Sequence, residues 1–150
     1  MAEVLFYHLQ RQPVEAVLPG LLLRSLERGW RVVVEAGDEQ RMAALDDHLW
    51  TFSDDSFLPH GSAREPDIAS QPVALVCEPG NPNNANVRFL VHGARAPDDL
   101  SAWERVVLMF DGADEAALSA AREDWRKVKA LGADATYWQQ NDQGRWEKKA

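Results

Sequence analysis

The chain has 150 residues, 45% of them hydrophobic, and a single cysteine. That is one domain's length with enough apolar material for a core, so it argues against a disordered chain, and an internal disulfide is excluded. The net charge is −8, which sets the body of the protein against a phosphate backbone. The charge is uneven: residues 122–150 sum to +2 and the rest to −10. No apolar run approaches the roughly 20 residues that a membrane span needs. The opening Met1-Ala2-Glu3 enters a strand-like run at once, so no signal peptide is expected and the expected location is cytoplasmic.

Taken in chain order, Val4 to Leu9 reads as a buried strand. Val14 to Arg28 reads as a helix through Val17, Leu18, Leu21, Leu22 and Leu26. Pro13 suits its first turn, Gly29 suits its stop, and Pro19 predicts a late start or a kink. Arg31 to Ala36 is the second strand; Gly37 and Asp38 form a turn and cap; Gln40 to Trp50 is a second helix. Thr51 to Gln71 reads as a long polar loop. Val73 to Cys77 and Val87 to His92 are further strands, with a turn cluster at 79–84 between them. Arg105 to Phe110 is a fifth, after a short helix near Asp98 to Glu104. Ala113 to Leu131 is the longest helix, stopped by Gly132, and Ala135 to Gln139 is a last short strand. Residues 141–150 read as a loose polar tail behind a domain spanning 1–140. Strands alternating with helices, several apolar on both faces, predict one α/β domain. Its sheet should be mostly parallel, with helices on both faces.

The sequence lacks the chemistry that such a sheet often carries. Neither GxGxxG nor GxxxxGK[ST] occurs, and the first strand-to-helix turn, Gln10 to Pro13, has no glycine, so no backbone cradle for phosphate is expected. Gly112 reads as an ordinary turn residue. His8, His48, His60 and His92 do not pair at metal-ligand spacing, and Cys77 has no cysteine partner. His48, next to Asp46 and Asp47, reads as part of a solvated helix face. No cofactor, metal or catalytic residue is expected. The competing reading is a small α/β nucleotide-binding protein or enzyme with an unrecognised motif.

Two places stand out. Trp50 ends a helix and Phe57 lies in a polar loop; large aromatics there are either core plugs or interface anchors. On the last helix, Leu118, Ala121, Trp125, Val128 and Leu131 share one broad face. Arg122 and Lys129 fall just beyond its Trp125 edge, with Arg126 further round. An aromatic bordered by cations accepts a peptide with an apolar tip and acidic neighbours, and Phe110 can help floor such a groove. Basic residues late in a helix also simply complement its dipole.

At these places the sequence resembles the chi subunit family of the bacterial DNA polymerase III holoenzyme. The resemblance runs through Phe6-Tyr7-His8-Leu9, Arg28 to Val34, the Leu45-Asp46-x-x-Leu49-Trp50 and Ser56-Phe57-Leu58-Pro59-His60 pair, Ala121 to Arg126, and Ala135 to Trp138. It implies a fold similar to nucleotide-binding α/β proteins without their phosphate loop. It also implies an accessory clamp-loader subunit without catalysis of its own, working as a monomer or heterodimer. Such a subunit grips the acidic C-terminal tail of single-stranded-DNA-binding protein, meets DNA only indirectly, and binds the psi subunit through another surface. Carried over by position, Arg122, Trp125, Arg126 and Lys129, with Phe110 as a looser match, bind the tail. Trp50 and Phe57 face psi. The family usually has tyrosine where Trp125 stands, and often lysine and arginine where Arg126 and Lys129 stand.

Overall fold

In a computed structural model, which describes residues 2–53 and 58–150, eleven helices and strands build one sheet and two helical layers. They are β1 (Glu3–Leu9), α1 (Val14–Glu27), β2 (Val32–Glu35), α2 (Glu39–Thr51), β3 (Gly61–Ser62), β4 (Val73–Val76), β5 (Val87–Leu90), β6 (Arg105–Asp111), α3 (Glu115–Ala130), β7 (Asp134–Gln140) and β8 (Trp146–Lys148). The sheet order is β3-β4-β2-β5-β6-β1-β7-β8, parallel throughout except for β8 against β7. This is the expected α/β architecture with a mostly parallel sheet. Valines and leucines of β2, β4 and β5 are buried in unbroken runs, as strands covered on both faces must be.

The faces divide by alternation along the strands. Val32 and Val34 of β2 and Val107 and Met109 of β6 pack with Leu18, Leu22, Met42, Leu45 and Leu49 of α1 and α2. Phe6 of β1 and Leu108 and Phe110 of β6 pack with Ala121 and Val128 of α3. Beyond α3 this second face is closed by the segment before β6, through Ala96, Leu100 and Trp103. There Arg88 is ion-paired with buried Glu35 and lies 5.5 Å from the centroid of Trp103.

Several expectations need correcting. Pro19 neither delays nor breaks α1, which runs from Val14 to Glu27 with Pro19 buried inside it. Proline removes the N–H that would have bonded the carbonyl of Glu15, and His48 Nε2 on α2 donates to that oxygen at 2.8 Å. His48 is therefore half-buried and replaces a missing helix bond; it is not part of a solvated face. The segment 98–104 is turns, not a short helix, with Asp99 accepting from the Ser101 N–H at 2.9 Å. The loop after α2 contains β3 and a 3-10 turn at Ile68–Ser70. The segment read as a loose tail turns at Asn141, whose N–H bonds Arg145 O at 2.8 Å, and returns as β8 along β7. Helix α3 starts behind Asp114, whose carboxylate accepts from Ala116 and Ala117 N–H. It ends before Gly132, whose φ of +83° suits glycine alone without strain. Leu131, on the same broad face as Ala121 and Val128 by helical period, is 39% exposed. It stands at the cap, one residue past the helix's last turn.

Candidate functional site

Helix α3 buries Ala121, Asp124 and Val128. At about 100° per residue the two flanks of that stripe diverge, with Glu123 and Lys127 on one and Trp125, Arg122, Lys129 and Arg126 on the other. The first flank is saturated. Asp124, 2% exposed, accepts from Arg95 Nη2 at 3.0 Å and Nε at 3.1 Å, and from the Ala96 N–H at 3.2 Å. Arg95 also reaches Glu123 at 3.1 Å, and its hydrogen bond to Asp124 raises its already high pKa. Lys127 donates to Ala96 O at 2.8 Å and pairs with Asp98 at 2.6 Å.

The second flank carries charge without counter-charge. Among the described residues, no carboxylate lies within ion-pair reach of Arg122, Arg126 or Lys129. The three lie within about 60° of the helix circumference. Trp125 is half-buried beside them. Its ring meets Phe6 edge-on at 5.2 Å and Tyr137 at 6.0 Å, while Lys129 Nζ stands 5.7 Å from its centroid. Tyr137 continues the cluster to Phe110 at 6.0 Å, and His8 lies 5.3 Å from Phe110. Phe110 itself is buried, one aromatic removed from Trp125. The candidate residues Arg122, Trp125, Arg126, Lys129 and Phe110 thus fall on one side of one helix and the strand ends beneath it.

Two residues of this cluster were not among the candidates. His8 Nδ1 and the Tyr137 hydroxyl share a hydrogen bond of 2.6 Å. Register places them: β1 runs between β6 and β7, setting His8 against Phe110 on one side and Phe6 against Tyr137 on the other. Burial pulls the His8 imidazole below its ordinary pKa; the Asp111 carboxylate opposes this, and the Arg122 cation adds to it. Burial raises the Tyr137 phenol, with Arg122 opposing. Gly112 is more than a turn residue, because a Cβ there would overlap the His8 ring. The signal available in the sequence was alternation: His8 is two residues from Phe6, hence on the same sheet face.

The Leu45-Asp46-x-x-Leu49-Trp50 pattern builds a second feature. Leu45 and Leu49 enter the core. Asp46 Oδ1 stands 3.1 Å from Nε2 of buried His60, whose Nδ1 donates to Leu58 O at 2.7 Å. Trp50 lies with its ring 4.3 Å from that of His60 and stays 51% exposed. Trp50 is therefore not a core plug. Phe57 lies outside the described residues.

The competing nucleotide-site reading points to the carboxyl ends of the parallel strands. A cavity of about 820 Å³ does open there, between the turns that follow β1, β5 and β6. Its arginines are already committed: Arg11 to Asp142 at 2.8 Å, Arg95 to Asp124, and Arg41 to the His92 carbonyl at 2.6 Å, while His92 Nε2 stands 3.0 Å from Glu15 Oε1.

Comparison with known proteins gives one consistent result. A family model described as DNA polymerase III chi subunit, HolC, matches residues 1–136. The probable DNA polymerase III subunit chi of Rickettsia prowazekii is 29% identical over 117 residues, covering 74% of this chain and 71% of that protein. The DNA polymerase III subunit chi of Pseudomonas aeruginosa is 29% identical over 114 residues, covering 73% of this chain and 77% of that protein.

Proposed function

Because this chain belongs to the DNA polymerase III chi subunit family, we propose that it is an adaptor whose α3 flank grips the acidic tail of single-stranded-DNA-binding protein. In this reading Arg122 holds a tail carboxylate by charge-assisted hydrogen bonds, and Trp125 borders the seat of the terminal phenylalanine. Arg126 and Lys129 draw in the aspartates, while Phe110, His8 and Tyr137 form the floor. The adaptor has no catalysis of its own and reaches single-stranded DNA through that partner. Trp50, with Phe57, faces psi, which joins it to the clamp loader.

The observation that carries this reading is the run of cations without an ion-pair partner among the described residues, beside a half-buried aromatic on a chain of net charge −8. Among the described residues half of the lysines and arginines are in ion pairs, and a stripe left without such partners is a standing attraction for an anionic partner. The test is titration of a labelled peptide ending Asp-Asp-Ile-Pro-Phe. Saturable binding that weakens as salt is raised supports the reading. Binding that is absent, or indifferent to salt, contradicts it. For the second surface, Trp50→Ala should weaken capture of the psi–clamp-loader assembly and leave peptide binding unchanged.

A further inference from the structure

A second concentration of positive charge lies on the opposite face of the sheet, under α1. A small cavity of about 190 Å³ is bounded by Arg24 and Arg28 at the end of α1, Trp30, Arg105 at the start of β6, and Tyr7 of β1. The Arg28 Cζ stands 4.2 Å from the Trp30 ring centroid and the Arg105 Cζ 5.0 Å from it. One carboxylate reaches the group: Glu3, 3.2 Å from Arg105 Nη2. Among the described residues neither Arg24 nor Arg28 has an ion-pair partner, and Arg105 Nε–H is buried without an acceptor.

Tyr7 adds a neutral donor. Its hydroxyl has no hydrogen-bond partner among the described residues. Burial raises its pKa, while Arg105 and Arg24 pull it down and Glu3 pushes it up, so the phenol stands in the field of the same groups. A helix dipole accounts for two arginines late in α1. It does not account for Arg105, which arrives from a different element and brings the third guanidinium to the same cavity. Three such cations against one carboxylate leave an excess of two positive charges in a donor-rich, acceptor-poor space.

We propose that this pocket binds a phosphate group. A phosphate dianion matches the excess charge, and guanidinium N–H groups donate to its oxygens in forked pairs. The Tyr7 O–H supplies a further donor. The cavity is too small for a whole nucleotide, since sites for molecules of that size run from roughly 300 Å³ upward. The group is therefore free phosphate, or the phosphate end of a nucleotide or single strand whose remainder stays outside.

The test uses the full chain and follows Trp30 by tryptophan fluorescence and by its indole N–H resonance. Inorganic phosphate is titrated against chloride at matched ionic strength, then a nucleoside monophosphate and a 5′-phosphorylated single-stranded oligonucleotide. Saturation by phosphate and not by chloride is expected. Dissociation constants should rise by about tenfold or more in the Arg24→Gln/Arg28→Gln double variant. Tyr7→Phe should weaken binding by a smaller factor, and Arg122→Ala should leave it unchanged. Tighter binding of the nucleotide or oligonucleotide names that molecule as the source of the group; binding of inorganic phosphate alone names the free ion. No saturation by any of the three, or the same curve in the double variant, overturns the proposal. The two arginines are exposed and outside the core, so the double variant keeps the fold.

Discussion

The two flanks of α3 meet cations in opposite circumstance. On one, Arg95 and Lys127 are consumed by Asp124, Glu123, Asp98 and the Ala96 carbonyl, and the helix is held to the segment that follows β5. On the other, Arg122, Arg126 and Lys129 have no carboxylate partner among the described residues and lie on the Trp125 side of the helix, with Lys129 Nζ 5.7 Å from the Trp125 ring centroid. The first flank spends its charge on holding the fold; the second leaves its charge available to a partner. Composition alone cannot separate the two. What separates them is whether an acid from another element arrives within reach.

The comparison can be broken by substitution. The largest stability effect belongs to the saturated flank. Asp124→Ala strands Arg95 and the Ala96 N–H, and should cost about 2–3 kcal/mol in urea unfolding, discounted because Arg95 is half exposed. Arg122→Ala should change stability by no more than about 0.5 kcal/mol yet lower affinity for the acidic peptide by about tenfold or more. If Arg122→Ala unfolds the protein, or Asp124→Ala does not destabilise it, the division of labour is wrong. Arg126→Ala and Lys129→Ala should each cost a few-fold in affinity and flatten its salt dependence, because they act through screened attraction.

A smaller effect sharpens the same contrast through pH. His8 is held below its ordinary pKa by burial in the first place. The unfolded chain therefore binds its proton more readily than the folded one. The resulting stability is fully present above about pH 6.5 and is lost as the pH falls through the folded value. Melting temperature measured between pH 7.5 and 5 should fall less in His8→Gln than in the wild type. Equal slopes would show that His8 does not sense its burial beside Tyr137.

The layered fold was legible because its elements announce themselves locally. Val32 to Val34, Val73 to Val76 and Val106 to Phe110 are apolar on both faces, and the helical spacing in α1 and α3 is regular. What stayed hidden depends on partners distant in sequence. β8 lies in a polar stretch, and its pairing comes from the backbone of β7. The rescue of Pro19 needs His48 from the next helix. Buried Asp124 breaks the apolar pattern of α3, and Arg95 with the Ala96 N–H, both from another segment, make that tolerable. The site divides in the same way. Arg122, Arg126 and Lys129 could be read from the period of a single helix, whereas His8 and Tyr137 meet 129 positions apart through the sheet register.

The most direct measurement is a two-dimensional amide and indole spectrum of the labelled protein as the Asp-Asp-Ile-Pro-Phe peptide is added. The Trp125 indole and the Arg122 to Lys129 amides should shift progressively to saturation, with Tyr137 following and the Trp50 indole still. A silent Trp125, with the shifts gathered instead around Trp50 or Trp30, would contradict the account of α3 as the tail's seat.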